Sequence, residues 1–251
     1  MVTTGLNTPV TEVKTLILTQ AAAWTNVEMA LANLKANYCF SLAAINQISQ
    51  EHLAAIIRPS GYFNAKARKL KEFAGHIDQW HNGDLDGFLS QDMETLRAEL
   101  LSIHGIGPET ADDIVLYAAG KPSFVIDSYT RRILGRLGVV GGWLKDSYGV
   151  CQALFHDNLP GDAGMFNEFH ALLDRHAKET CAKTPRCSGC CLMDVCATAF
   201  DDDSFDAAVA TFLFCVLDDA DQTPALVELA RITRPGGELR LMEYTLSADP
   251  F

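Results

Sequence analysis

Residues 101–137 read LSIHGIGPETADDIVLYAAGKPSFVIDSYTRRILGRL, and this stretch says most about the fold. Apolar residues three and four positions apart predict helices on both sides of Gly105-Ile106-Gly107. Glycine tolerates a positive φ, so this turn can bring backbone amides to a phosphate without an obstructing Cβ. Taken alone, the turn is more typical of an ordinary helix connection.

The same helical periodicity extends over residues 11–180 and predicts an all-α body of about ten helices. Turn sequences such as Pro59-Ser60-Gly61 separate them. The pattern changes after Phe200. An apolar run at Phe205–Leu217, a helical segment at Gln222–Ile232, a turn at residues 234–237 and a second apolar segment at Glu238–Tyr244 predict a β-α-β unit.

The net charge of −12 argues against a protein that binds nucleic acid by bulk charge alone. Residues 200–251 contain eleven acidic residues and three arginines, so the rest of the chain is nearly balanced and a local basic face is possible. The N-terminus lacks the pattern of a signal peptide, and no apolar run is long enough to span a bilayer. We expect a cytoplasmic protein that does not contact membranes.

The run from Leu101 to Leu137 resembles the helix-hairpin-helix and Gly/Pro-Asp signature of the endonuclease III family of DNA glycosylases. The matching residues are the hairpin (Gly105, Gly107, Thr110, Ala111), Pro122, the segment 124–127, the segment 129–132, and Gln20, Trp24 and Asn26 upstream. With the cysteines downstream, the resemblance covers roughly residues 10–198.

The resemblance implies an all-α, two-lobed helix-hairpin-helix DNA glycosylase fold with an iron–sulfur loop, plus a short C-terminal β-α-β appendage. The expected glycosylase body is residues 1–199. Within it, residues 24–134 form a six-helix lobe with the hairpin, and residues 1–23 plus 135–199 form the second lobe. Residues 200–251 form the appendage, which resembles a fragment of a class I S-adenosylmethionine-dependent methyltransferase without its cofactor-binding loop. We therefore expect no methyl transfer from this chain alone.

Asp127 matches the catalytic aspartate of the family, and cleavage of a glycosidic bond benefits from a carboxylate near the oxocarbenium-like sugar. Its alternative interpretation is an N-cap. Glu109 occupies the position at which bifunctional relatives carry the lysine that attacks the sugar. A carboxylate cannot form a Schiff base, so the sequence predicts a monofunctional glycosylase. Glu109 is otherwise a solvated first-turn carboxylate.

Residues for binding double-stranded DNA with a damaged base follow from the same resemblance, since the target base must leave the helical stack. Gln20 matches the glutamine that fills the stack. The loop around Tyr62 matches the wedge loop, and the hairpin would grip the backbone. The predicted contacts are Gln20, Tyr62, Asn64, Lys66, Gly105, Gly107, Thr110 and Arg131. We expect a monomer associated with the nucleoid.

Four cysteines have the spacing C-x5-C-x2-C-x5-C: Cys181, Cys187, Cys190 and Cys196. Thiolates at this density can bind zinc or a [4Fe–4S] cluster, and the spacing does not decide between them. The resemblance implies [4Fe–4S]. Cys191 is an adjacent fifth thiol and is interpreted as a bystander.

The function predicted from the sequence is therefore base excision by a monofunctional DNA glycosylase. Two alternatives remain. One is a bifunctional glycosylase with abasic-site lyase activity. The other is a catalytically degenerate DNA-binding iron–sulfur protein, which the run Ala21-Ala22-Ala23 favours because relatives carry polar residues at that place.

Overall fold

The computed structural model describes residues 9–20, 22–139, 148–196, 203–211 and 219–242. The helices are α1 (Pro9–Thr19), α2 (Trp24–Ala36), α3 (Leu42–Gln47), α4 (Gln50–Ile56), α5 (Phe63–His81), α6 (Leu85–Ser90), α7 (Met93–Ser102), α8 (Pro108–Asp113), α9 (Ser128–Leu137), α10 (Tyr148–Asn158), α11 (Ala163–Glu179) and α12 (Asp219–Ile232). The strands are β1 (Phe205–Thr211) and β2 (Thr233–Met242). A π-helical turn, Ile114–Ala118, directly continues α8. The largely helical fold confirms the predicted class.

Short polar residues start several of these helices. Ser41, Ser49, Asp84 and Asp92 each accept a hydrogen bond from the backbone amide three residues later, which satisfies one of the free donors at a helix N-terminus. Each cap fixes the residue at which its helix begins. The chain can therefore reverse direction within a few residues between α3 and α7.

The chain divides into two compact units. The first contains Met1–Asp127 with Gln152–Leu172, and the second contains Ser128–Cys151 with Leu173–Phe251. This division differs from the predicted lobes. Helix α1 lies in the first unit because Ile17 and Leu18 are fully buried in its core, and residues 152–172 join that unit because Phe155 and Phe166 pack on Phe124.

The predicted C-terminal β-α-β unit is confirmed, with β1 and β2 parallel, whereas residues 212–217 and 243–244 of the predicted strands lie outside the described residues. Ala207 pairs with Glu238 and Ala210 with Leu241, whereas the pairing between Phe205 and Thr233 is offset from this register. The residues expected to form a turn, 234–237, are instead an irregularity within β2. Gly236 has a φ of +81°, which explains why the chain can bulge there without leaving the strand.

The hairpin between α7 and α8 is held by a buried ion pair. Arg97 on α7 donates from Nε to Oδ1 of Asp112 at 2.7 Å and from Nη2 to Oδ2 at 2.9 Å, and the Asp112 side chain is fully buried. Such bidentate pairing fixes both distance and orientation. Gly105 in the intervening turn has a φ of +88°, and a Cβ there would approach Cγ of Lys69 to 2.8 Å.

Replacing Gly105 with alanine should lower the free energy of unfolding by about 1–2 kcal/mol, because alanine is strained at this φ and its methyl group displaces Lys69. The matched control is Gly75→Ala within α5, where a Cβ meets nothing closer than 3.9 Å. That helical substitution should raise stability by roughly 0.5–1 kcal/mol. Urea unfolding of both variants measures the difference, and equal effects would contradict the strained turn.

Candidate active site

Asp127 follows a non-helical segment that is anchored in the core of the first unit. Phe124, Val125 and Ile126 are fully buried, and the ring of Phe124 stacks on Phe155 with 3.6 Å between centroids. A buried segment outside helices and strands needs partners for its backbone groups. Two side chains from the second half of the unit supply them.

His156 and Gln152 hold the backbone of Phe124 on both sides. The amide of Phe124 donates to Nε2 of His156 at 2.9 Å, and Nε2 of Gln152 donates to the carbonyl of Phe124 at 2.7 Å. Accepting a hydrogen bond at Nε2 requires a neutral imidazole. Burial, with a further contribution from Arg97, lowers the pKa of His156 even though Asp112 and Asp157 oppose the shift. The histidine is therefore suited to its role as an acceptor.

The Asp127 side chain is 17% exposed and lies beside a histidine. Its Oδ2 is 3.8 Å from Nε2 of His170, and Nδ1 of His170 is 2.5 Å from the hydroxyl of Tyr117. A His170 tautomer with its proton on Nε2 suits both contacts, because the Tyr117 hydroxyl can then donate to Nδ1. No sequence pattern links Tyr117 to His170, because the two residues are 53 positions apart and meet only in the fold.

Three further acidic residues share the electrostatic environment of this site. The pKa of Asp113 is raised well above its ordinary value, first by burial and then by the negative charges of Glu109, Asp127 and Asp112. Perturbed carboxylates near a cleft are typical of catalytic sites, and no spacing in the sequence pointed to Asp113.

The hairpin turn forms one wall of an open cleft of about 600 Å³ in the same unit. The amide of Gln20 donates to the hydroxyl of Thr110, and Nζ of Lys69 donates to Oε1 of Gln20 at 2.6 Å. The residues lining the cleft are Gln20, Lys69, Gly105, Ile106, Gly107, Glu109 and Thr110. The structure thus brings together five of the residues predicted from sequence and adds Lys69 as an ordering contact.

The predicted wedge residues lie at the start of α5. Tyr62 is 75% exposed and has a left-handed backbone, with a φ of 45°. An exposed aromatic residue in a sparsely populated conformation is a feature often found at functional sites. Asn64 is exposed in the next turn, and Arg131 is exposed on α9 of the second unit, with its guanidinium 5.8 Å from the ring centroid of Tyr148.

The prediction that Lys66 contacts the DNA backbone is wrong. Its side chain is only 2% exposed, and Nζ donates to the carbonyl of Leu18 at 2.8 Å and to that of Ser60 at 2.6 Å. Burial and the nearby charge of Lys69 lower its pKa to about 8. Lys66 therefore ties α5 to the end of α1 from inside the protein instead of reaching a phosphate.

The four predicted ligand cysteines line one cavity in the second unit, whereas Cys191 is exposed and does not line it. Nη1 of Arg136 lies 3.2 Å from Sγ of Cys181, and the amide of Leu192 lies 3.4 Å from Sγ of Cys190. Donors directed at sulfur stabilise thiolates. The donor set thus fits a thiolate-bound metal or iron–sulfur cluster.

Comparison with known proteins identifies the family. Residues 15–158 match the HhH-GPD superfamily of base excision DNA repair proteins. The chain belongs to this superfamily. This result confirms the predicted resemblance. Residues 164–241 match a methyltransferase domain, which agrees with the predicted likeness of the tail, although that match begins within α11.

Relatives of this HhH-GPD protein are known as repair enzymes. It is 41% identical over 182 residues to MJ1434 of Methanocaldococcus jannaschii, provisionally named a DNA repair glycosylase, covering 72% of this chain and 81% of that one. It is 34% identical over 146 residues to endonuclease III of Sulfolobus acidocaldarius, covering 58% and 61% of the two chains.

Two solved structures share the fold. The 3-methyladenine DNA glycosylase MagIII of Helicobacter pylori, bound to 1,N6-ethenoadenine, aligns with a TM-score of 0.58 at 26% identity and covers 67% of this chain and 84% of that one. A trapped covalent intermediate of endonuclease III with DNA aligns with a TM-score of 0.66 at 21% identity over 78% and 86% of the chains. Among the described residues, no helix is long and apolar enough to cross a membrane.

The anchoring of Phe124 makes a prediction about pH. The unfolded chain binds a proton on His156 near pH 6.5, whereas the folded protein resists protonation, so stability should fall as the pH drops below about 6.5. His156→Gln keeps an acceptor and should flatten this dependence. His156→Leu leaves the Phe124 amide unsatisfied and should cost roughly 1–3 kcal/mol. Urea unfolding between pH 5 and 8 measures both, and equal stabilities of the two variants would contradict the contact.

Proposed function

We propose that this chain is a monofunctional DNA glycosylase that binds double-stranded DNA, extrudes a damaged base and hydrolyses its N-glycosidic bond. The proposal rests on the position of the Asp127 carboxylate, which lies 3.8 Å from Nε2 of His170 in the same unit as the cleft lined by Glu109 and the hairpin turn. This position supports the idea that the hairpin and the Asp127 carboxylate act on the same nucleotide. The chain's membership of a base excision repair superfamily supports the same class of substrate.

Asp127 is the proposed catalytic residue. As the base departs, positive charge develops on the deoxyribose, and a carboxylate near the anomeric carbon lowers the energy of that state or activates the attacking water. Contact with His170, itself oriented by the Tyr117 hydroxyl, limits the directions in which the carboxylate can turn. Low exposure of the side chain strengthens its electrostatic effect on the sugar.

Glu109 is the reason for proposing a monofunctional enzyme. It lines the cleft at the position where a lyase would carry its attacking amine. A carboxylate cannot form the imine that strand cleavage by a lyase requires, so the product should be an intact abasic site. Lys69, the lysine that lines the same cleft, already donates to Gln20.

DNA binding is proposed to combine three contacts. The Gly105–Gly107 turn offers backbone amides to a phosphate, Gln20 enters the space left by the extruded nucleotide, and Tyr62 wedges the opposite strand. The bond to Thr110 and the bond from Lys69 orient the Gln20 amide before DNA arrives. Such ordering reduces the entropy lost on binding.

The cysteine cavity is proposed to hold a [4Fe–4S] cluster on Cys181, Cys187, Cys190 and Cys196. When bound, the cluster supplies a rigid, thiolate-ligated cross-link and an electron-transfer centre. Arg136 also donates to the carbonyl of Ala182 at 2.7 Å, so it orders the backbone next to the first ligand. Zinc on the same thiolates is the alternative that metal analysis distinguishes.

Base release from a panel of damaged duplexes tests the proposal. The panel should include 3-methyladenine and 1,N6-ethenoadenine, because MagIII is a 3-methyladenine DNA glycosylase and its structure contains bound 1,N6-ethenoadenine. The wild type should release at least one base and leave the strand uncut until alkali is added. Asp127→Asn should slow release by at least a hundredfold while DNA affinity changes less than threefold, since the charge that stabilises the transition state is lost and the binding surface is kept.

Borohydride trapping separates the alternatives. Endonuclease III, which forms a trappable covalent intermediate, serves as the positive control. A borohydride-stable adduct of the wild type with DNA would overturn the monofunctional assignment and favour a lyase. DNA binding with no base release from any duplex would favour the catalytically degenerate protein instead.

Cysteine variants test the cluster. Cys187→Ser should reduce iron per chain to a small fraction of the wild-type value and remove the broad visible absorbance, because a hydroxyl is a poor ligand for iron–sulfur clusters. Cys191→Ser is the matched control and should retain both, since its thiol does not line the cavity. Equal iron loss in both variants, or stoichiometric zinc in the wild type, would contradict the assignment.

A further inference from the structure

Three side chains that do not belong to the cysteine cavity converge on one point in the first unit. Nε2 of His76 lies 2.7 Å from Oε1 of Glu99, and Nε2 of His81 lies 2.6 Å from the same oxygen. One ligand atom from each of the three residues lies within 4.8 Å of the other two. No part of the proposed glycosylase chemistry uses this cluster.

The cluster lies at the opposite end of α5 from the hairpin cleft. His76 and His81 belong to the last turns of α5, whereas Lys69, the α5 residue that lines the cleft, precedes His76 by seven residues. At a rise of 1.5 Å per residue this separation is about 10 Å along the helix. Glu99 belongs to α7, so the cluster joins α5 to the helix that leads into the hairpin.

Neighbouring residues hold the three side chains of the cluster in fixed orientations, as is typical of metal ligands. The second carboxylate oxygen of Glu99 accepts a hydrogen bond from Nε2 of Gln91 at 3.0 Å, which fixes the orientation of the carboxylate. The ring of Phe88 stands edge-on to both imidazoles, 4.9 Å from His81 and 6.3 Å from His76 between centroids. An outer hydrogen bond and an apolar wall are what orient the ligands of protein metal sites.

One side of the cluster is open to solvent. The side chains of His76, His81 and Glu99 are 17%, 22% and 23% exposed. This opening provides an entry path for a metal ion from solvent.

We propose that His76, His81 and Glu99 bind a divalent first-row transition metal ion, with zinc as the best match. Two imidazole nitrogens and one carboxylate oxygen form a ligand set that zinc prefers, whereas magnesium and calcium prefer oxygen ligands alone. Each imidazole binds through the lone pair of Nε2 and carries its proton on Nδ1. The metal replaces the two hydrogen bonds to Glu99, and each separation between Oε1 of Glu99 and an imidazole nitrogen widens to roughly 3.3 Å, the separation in a tetrahedral zinc site.

A metal ion at this position cross-links α5 to α7, the helix that precedes the hairpin turn. The same α7 carries Arg97, whose bond to Asp112 holds α8. The site is therefore structural, and its occupancy stiffens the helix on which the hairpin is mounted. It is independent of the cysteine cavity in the second unit.

Titration of the full chain with Co²⁺, a spectroscopic substitute for zinc, tests the proposal. Cobalt on nitrogen and oxygen ligands gives weak visible bands, whereas cobalt on the cysteines also gives intense sulfur-to-metal charge transfer, so the two sites are resolved within one protein. The wild type should take up one equivalent without the thiolate signature. His81→Gln and Glu99→Gln should each lose this equivalent, and His52→Gln, at an exposed histidine on α4, should retain it.

Thermal unfolding with zinc gives a second readout. At a free zinc concentration a hundredfold above Kd, the Tm of the wild type should rise by roughly 5–10 °C more than that of His81→Gln. The wild-type titration does not depend on the folding of any variant. If the wild type binds cobalt only on thiolates, or not at all, the cluster is only a hydrogen-bonded histidine pair and the proposal is overturned. The proposal is also overturned if the His81→Gln and Glu99→Gln variants still bind one equivalent of cobalt without the thiolate signature.

Discussion

The arrangement of the candidate site depends on two hydrogen bonds to the backbone of Phe124. Among the described residues this buried segment pairs with no strand, so its amide and carbonyl need other partners, and an unsatisfied buried group is costly. His156 and Gln152 occupy those positions, and the stacked ring of Phe155 prevents the segment from rotating. The chain therefore leaves the core in one direction, and Asp127 emerges three residues later at a defined point.

A second constraint connects this segment to the hairpin. The buried carboxylate of Asp112 accepts hydrogen bonds from Arg97 on α7 and from the hydroxyl of Ser123, which directly precedes Phe124. One side chain thus holds both the hairpin and the buried segment. Movement of either would expose or unpair a buried charge, which is unfavourable by several kcal/mol. The proposed catalytic carboxylate and the proposed phosphate-binding turn are positioned by the same group.

Local patterns explain what the sequence predicted well. The glycine turn, the apolar run before Asp127 and the cysteine spacing are each recorded within a few consecutive residues, so the fold class and the family followed from them. Tyr117, His170 and Asp113 were missed because their roles arise only when distant segments meet. Lys66 was misassigned because a lysine in a basic run is normally exposed, whereas here two backbone carbonyls accept its hydrogen bonds in the interior. Helix α1 and residues 152–172 belong to the first unit instead of the predicted second lobe, because their apolar side chains are buried in the core of the first unit.

The most direct test of the central claim is a crystal structure of the Asp127→Asn protein with duplex DNA that contains a stable abasic-site analogue. We expect the side chain at position 127 to lie within about 4 Å of the anomeric carbon of the extruded sugar, near attack distance. We also expect the amides of the Gly105–Gly107 turn to contact a phosphate of the same strand. A complex in which position 127 faces away from the sugar, or in which DNA binds elsewhere on the protein, would contradict the central claim.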